Sequence, residues 1–248
     1  MISYRQLVSL VFVWMLLLSP ISLMAIEDGM SRAYRVVLAP RHTTILSAEI
    51  ASSVRSISKE MGDRFNSGEV LIQLDDRLFK AKRNKARFLL ERAQEQLSAK
   101  QQLYDDNVAS AFELKDAEAS EAVAELDMET ADKELASCYI RSPYQGHVDK
   151  LLVNEHEIVQ PGQPLIEIVD DKTLLAKLLI PSSYFNKIQQ GQTLMIDIKE
   201  TGSQAQAIVT HIGAVIDPAS SMFKIYAEVN NHEGKFRSGM TGMTRIGQ

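Results

Sequence analysis

The chain has 248 residues, 45% of them apolar and 24% charged, the composition of an ordered globular protein rather than a disordered one. A formal net charge of −5 excludes a general attraction to nucleic acid, which needs a basic surface. The one cysteine, Cys138, can form no intramolecular disulfide and lies outside the usual zinc-ligand spacings, so it reads as a small buried hydrophobe.

At the N-terminus, Arg5 precedes an apolar run over residues 7–18, followed by Pro20 and a small-residue exit at residues 22–25. A charged start, a short apolar core and a small residue before the cut describe a secretory signal peptide over residues 1–25. An uncleaved anchor is the competing reading. It needs about 20 apolar residues, and Ser9, Ser19 and Pro20 interrupt this run. No Cys follows the cut, which excludes a lipoprotein anchor.

Residues 66–76, NSGEVLIQLDD, return as residues 160–170, QPGQPLIEIVD. The match runs without gaps at a spacing of 94 positions, as from Gly68 to Gly162. It pairs Val54 with Val148, Ile57 with Leu151, Phe65 with Val159 and Leu71 with Leu165. Further on it pairs Ile72 with Ile166, Leu74 with Ile168 and Asp76 with Asp170. Each copy reads as short alternating strands with a glycine turn before the last, because Gly takes positive φ at low cost. One half cannot bury both faces alone. Residues 48–76 and 138–171, packed face to face, are therefore expected to form one small sandwich. Gly62 meets His156 across the repeat, so that turn of the second half is expected to be built differently.

Between the halves the period changes. Ala86, Leu90, Ala93, Leu97 and Tyr104 mark one helix, with Lys100 as a lapse; Leu114, Ala117, Ala124, Met128, Ala131, Leu135 and Cys138 mark a second, with Glu121 as a lapse. Apolar positions recurring every 3.5 residues predict an antiparallel coiled-coil hairpin over residues 77–137, of about 28 residues and about 40 Å per helix. The reversal falls at residues 106–110, with Ser110 placed to cap the second helix and Glu113 to complete a capping box. A basic run opens the first helix (Arg77, Lys80, Lys82, Arg83, Lys85, Arg87, Arg92). An acidic run closes the second (Glu125, Asp127, Glu129, Asp132, Glu134), so charge pairing between the helices is the better reading of the basic run than a nucleic-acid or membrane patch.

These residues resemble the periplasmic adaptor, or membrane fusion protein, family of HlyD-like proteins. MGDRFNSGEVLIQLDD (residues 61–76) is similar to the family's first half-motif and IRSPYQGHVDKLLV (140–153) to its second. LLIPSSYFNKIQQGQTLMI (178–196) and RSGMTGMTRI (237–246) resemble the opening and closing strands of its β-barrel, with Ser238 in place of a Pro. The resemblance implies a mainly β fold with a long α-helical hairpin. Its parts are a split lipoyl-like (barrel-sandwich hybrid) domain at 48–76 plus 138–171, the coiled-coil hairpin at 77–137 and a C-terminal antiparallel β-barrel at 172–248, joined by a strand segment at 26–47. A membrane-proximal domain is expected to be missing or vestigial.

The implied function is that of a periplasmic adaptor subunit of a tripartite efflux system. It would bridge an inner-membrane pump, of RND type or alternatively of ABC type as in type I secretion, to a TolC-like outer-membrane channel. The alternative is a periplasmic scaffold that forms no tube. The resemblance further implies a homo-oligomeric ring, a trimer or hexamer, in the periplasm at the inner membrane. It places the channel contact at the hairpin tip, on Leu103, Asn107, Ser110 and Glu113. The family's Arg before the Leu is here Ala99, beside Lys100.

No enzyme is expected. Related sandwiches carry biotin or lipoate on a Lys in the tight hairpin joining their halves, and here residues 77–137 take that place, so no cofactor is predicted. No nucleophile elbow, phosphate loop or His-Glu-x-x-His run occurs. His42, His147, His156, His211 and His232 are scattered and read as surface imidazoles. Met24 and Met30 flank the cut and Met240 and Met243 read as barrel core, so no metal site is predicted.

Overall fold

The computed structural model describes residues 33–246; the expected signal peptide and residues 26–32 lie outside them. The described residues are mainly β with antiparallel sheets, interrupted by two long α-helices and by a short 3-10 helix at Ser182–Lys187. The strands are β1 (Ala33–Ser47), β2 (Ser52–Ile57), β3 (Arg64–Phe65), β4 (Val70–Leu74), β5 (Tyr139–Arg141), β6 (Gly146–Leu151) and β7 (Ile158–Val159). They continue with β8 (Pro164–Pro181), β9 (Thr193–Ile198), β10 (Ser203–Asp217), β11 (Met222–Asn230) and β12 (Thr241–Arg245). Helices α1 (Arg77–Asp105) and α2 (Ala111–Ala136) stand between β4 and β5.

The repeat governs the register of the sandwich. Val54 pairs with Leu74 as Val148 does with Ile168, and Val70 with Arg141 as Ser47 does with Pro164. Phe65 faces Gly146 as Ser52 faces Val159. Each of these pairs maps onto its counterpart by the same 94-residue step, as from Gly68 to Gly162. The halves do not simply lie face to face, however. One sheet runs β5-β4-β2-β7, and the other places β3 beside β6, β8 and the end of β1. Each half therefore lends strands to both sheets. Leu71, Leu165, Ile72, Ile166, Phe65 and Val159 close the shared core at 0% exposure.

Two local findings follow from this symmetry. The turn at His156 is built in the same way as that at Gly62. His156 N–H donates to the Val54 carbonyl at 2.8 Å, and Gly62 N–H donates to the Val148 carbonyl at 2.8 Å. His156 takes φ 68° where Gly62 takes φ 90°, so a histidine occupies the left-handed region the repeat demands. The symmetry breaks at Gly146. A Cβ there would meet the Val169 carbonyl oxygen at 2.0 Å and the Phe65 ring at 3.3 Å. Its counterpart Ser52 keeps a side chain, which donates to the Asp75 carbonyl at 3.0 Å. The Val169 backbone leaves no room for a Cβ at Gly146, and the Phe65 ring, where the other half has Val159, closes the same side less tightly.

Beyond the sandwich the pairing runs β1-β12-β9-β10-β11-β8 and returns to β1 through β8, so six strands close a ring. β1 and β8 pass without a break from the ring into the sandwich, with a register shift between Pro40 and His42. Proline at position 40 has no N–H to offer the ladder there. Alternation fills the ring with Val36, Leu38, Leu178, Ile180, Ile196, Phe223 and Ile225. Met243 faces outward, not into the core: its neighbours Gly242 and Thr244 hold the inner positions, and the Thr244 hydroxyl donates to the Met195 carbonyl at 2.7 Å.

Neither helix contains Gly or Pro, and both run unbroken. The predicted seam is their less exposed side, with Ala86, Ala93 and Ala131 buried. Lys82 pairs with Glu134 at 2.9 Å and Arg83 with Asp132 at 2.6 Å across the hairpin. At the base the basic run turns inward along its own strand end, Arg77 binding Asp75 and Lys80 binding Asp76. Phe79 of α1 enters the sandwich core, and Leu135 of α2 packs against it. Cys138, just beyond α2, is buried there, and burial pushes its thiol up to about 11, away from any reactive thiolate.

Candidate functional site

The tip of the hairpin is a tightly bonded turn. Asn107 takes φ 58° and its N–H donates to the Tyr104 carbonyl at 2.9 Å, while Val108 N–H donates to the Leu103 carbonyl at 2.7 Å. These two bonds form the Schellman closure of α1, with Asn supplying the left-handed residue that Gly usually provides. Ala109 N–H donates to the same Leu103 carbonyl at 3.0 Å. Ser110 then opens α2 at φ −80°, ψ 156°, and the expected capping box is complete: Ser110 Oγ accepts from Glu113 N–H at 3.3 Å, and Glu113 Oε2 accepts from Ser110 N–H at 2.9 Å.

Lys100, a lapse in the seam when α1 is read alone, has its explanation here. Its Nζ reaches Glu113 Oε1 at 2.9 Å and ties the end of α1 to the start of α2. The Ser110 N–H, followed by the Lys100 ammonium, holds the Glu113 carboxyl down to about 2, so it is ionised at neutral pH.

All four residues expected at the tip are brought together by this turn, in different capacities. Asn107, Ser110 and Glu113 make the turn. Leu103 contributes its carbonyl to the turn and leaves its side chain 40% exposed. The apolar surface offered outward comes mainly from two residues the sequence reading did not select: Val108, 72% exposed, and Phe112, 79% exposed. The available signal was two large apolar side chains, Val108 in the reversal and Phe112 in the first turn of α2, where there is no core to bury them.

At the opposite end, Asp76 has a fully buried side chain at the N-terminus of α1. It accepts from Tyr139 Oη at 2.6 Å, Lys80 Nζ at 2.8 Å, Arg55 at 3.3 Å and Gln73 at 3.4 Å. Lys80, then Tyr139, holds its carboxyl below the ordinary range. These partners come from β2, β4, α1 and β5, so one carboxylate fastens the root of the hairpin to both halves of the sandwich. Where sandwich and ring meet, Asp171 accepts from Arg237 at 3.3 Å and lies 2.9 Å from His147 Nδ1. His147 is thus half-buried and bonded rather than a surface imidazole. Among the described residues no group of three or more His, Cys, Asp or Glu could hold a metal ion, and no helix is long and apolar enough to cross a membrane.

No family model matches the chain. Curated proteins similar to it include an uncharacterized protein of Haemophilus influenzae, 24% identical over 220 residues, and nodulation protein NolF of Rhizobium meliloti, 22% identical over 233. These matches cover 85% and 87% of this chain but only 56% and 64% of those proteins, so the chain spans less than two thirds of their length. Among solved structures, a MacA–MexA chimera carrying the Pseudomonas aeruginosa MexA α-hairpin domain matches with a TM-score of 0.74 and 21% identity, over 87% of this chain and 79% of that one. The membrane fusion protein Spr0693 of Streptococcus pneumoniae R6 matches with a TM-score of 0.70 and 17% identity, over 88% and 99%.

Proposed function

On the fold of a membrane fusion protein, we propose that this chain is a periplasmic adaptor that links an inner-membrane transporter to an outer-membrane channel. The observation that carries the reading is the hairpin itself. Two unbroken helices interrupt a split sandwich, extend about 40 Å at 1.5 Å per residue, and end in an exposed apolar tip. A sandwich with no second task would join β4 to β5 by a short turn. In this reading residues 48–76 and 138–171 act as the lipoyl-like domain and the six-strand ring as the β-barrel, and copies assemble side by side as a trimer or hexamer. The transporter, taken as RND type ahead of ABC type on the sequence resemblance, supplies the energy, and the adaptor supplies a sealed path.

At the tip, Val108 and Phe112 with Leu103 are the contact surface, and Asn107, Ser110 and Glu113 hold them in place. Burying such side chains contributes about 1.5–3 kcal/mol each, and repetition around a ring multiplies modest contacts into stable docking. The test is site-specific photo-crosslinking in cells from positions 108 and 112, with Gln94, at mid-hairpin, as the control position. The reading expects adducts with an outer-membrane protein from the tip alone, together with loss of export in Val108→Asp/Phe112→Asp at unchanged thermal stability. Tip adducts confined to inner-membrane proteins, or full export by the double variant, contradict it.

A further inference from the structure

The outer face of the strand ring carries a pattern used by neither the tip nor the root of the hairpin. On β11 and β8, Lys224 stands opposite Leu179 and Tyr226 opposite Lys177; Lys177 in turn faces Val37 of β1. Arg35 lies two residues before Val37 on the same outward side. The result alternates cations with apolar side chains over three adjacent strands, while Val36, Leu178 and Ile225 between them fill the ring. Leu179 is 53% exposed and Val37 37%. Residues 33–37, 177–181 and 222–226 contain no acidic residue. Two carboxylates lie nearby, Glu228 on β11 and Asp217 at the end of β10; both have other partners, and Asp217 also acts electrostatically on Lys224. Glu228 pairs with Arg41 at 3.6 Å, and Asp217 accepts the N–H groups of Ala219 at 2.8 Å and Ser220 at 3.0 Å.

We propose that this face docks on an anionic lipid surface, with Arg35, Lys177 and Lys224 reaching headgroup phosphates while Val37 and Leu179 enter the interfacial layer. Three features favour lipid over a protein partner. Lysine is depleted in the cores of protein interfaces, whereas basic side chains laid along apolar ones are what a membrane interface selects. β1, β8 and β11 are each paired on both sides in the ring, so the face offers no free edge for an added strand. In a chain of net charge −5, a local cluster of three cations, of which only Lys224 feels a nearby carboxylate (Asp217 of β10), also fixes which side faces an anionic surface. The proposal stands independently of the tip contact, since its readout involves neither channel nor export.

The experiment uses a chain starting at Ile26, which keeps every strand and helix among the described residues and lacks the N-terminal apolar run. Its flotation with vesicles containing phosphatidylglycerol is compared with pure phosphatidylcholine, at low and high salt. Each near-surface cation strengthens binding about fivefold, so Arg35→Gln/Lys177→Gln/Lys224→Gln is expected to weaken binding to the anionic vesicles about a hundredfold, with circular dichroism and Tm unchanged. Binding to the wild type is expected to fall with salt. Equal binding to neutral vesicles, or an unaffected triple variant, overturns the proposal. So does an absence of vesicle binding when the same variant instead loses self-association in sedimentation or loses a co-purifying protein, because the face then serves a second copy or an acidic protein.

Discussion

Leu71 and Leu165 occupy equivalent places in the two halves of the sandwich, and both are fully buried. Replacing either by Ala removes three carbons, about 2.4 kcal/mol of transfer free energy at ~0.8 kcal/mol per methylene. The cavity left behind adds to this, so each variant is expected to lose about 3 kcal/mol. In a unit of this size that is a fall in Tm of about 6–12 °C. Because each half contributes strands to both sheets, Leu71→Ala and Leu165→Ala should lower one and the same cooperative transition, by amounts agreeing within about 1 kcal/mol. Urea unfolding followed by the fluorescence of Trp introduced at Tyr144, beside calorimetry, measures both. Two separate transitions, or Leu71→Ala leaving residues 138–171 as protected from protease as in the wild type, would refute the account of one domain split in two.

Gly146→Ala is expected to cost more than about 2 kcal/mol, since its Cβ falls 2.0 Å from a backbone oxygen, whereas Ser52→Ala at the equivalent place loses one hydrogen bond and about 1 kcal/mol; similar losses in urea denaturation would show that the asymmetry is not steric. Asp76 has a folded-state pKa below its unfolded value near 4. Its contribution is therefore complete above about pH 4 and disappears as the pH falls through the folded value. The Tm difference between wild type and Asp76→Asn should thus be large at neutral pH and shrink on acidification; a difference that does not change with pH would mean that the carboxylate's charge plays no part in holding the hairpin root.

Much of this was legible in the sequence because burial leaves a periodic trace. The pairs Leu71/Leu165 and Leu74/Ile168 marked the equivalent strands of the sandwich, and the 3.5-residue seam with Ser110 and Glu113 marked both helices and the reversal. The exchange of strands between halves was not legible, since β3 and β7 are two residues each and carry no pattern of their own. His156 was misread because residue preference argues against a left-handed histidine, while the surrounding ladder demands one. Lys100 looked like a fault because a helix read alone has no partner; only the folded hairpin sets it against Glu113. Val108 and Phe112 escaped selection for the opposite reason: an exposed apolar residue leaves no periodic trace. Met243 was placed in the core from its apolar type, although alternation with Gly242 and Thr244 puts it outside.

The most direct test of the central claim removes the hairpin and keeps its platform. Leu74 N–H donates to the Cys138 carbonyl at 2.8 Å, so β4 and β5 are already adjacent where the helices leave, and an Asn-Gly turn can replace residues 77–137. The account predicts a folded, cooperatively melting protein, less stable for the loss of Phe79, Leu135 and the Lys80–Asp76 pair, that no longer supports export in cells. Export at wild-type level by that folded variant would contradict it.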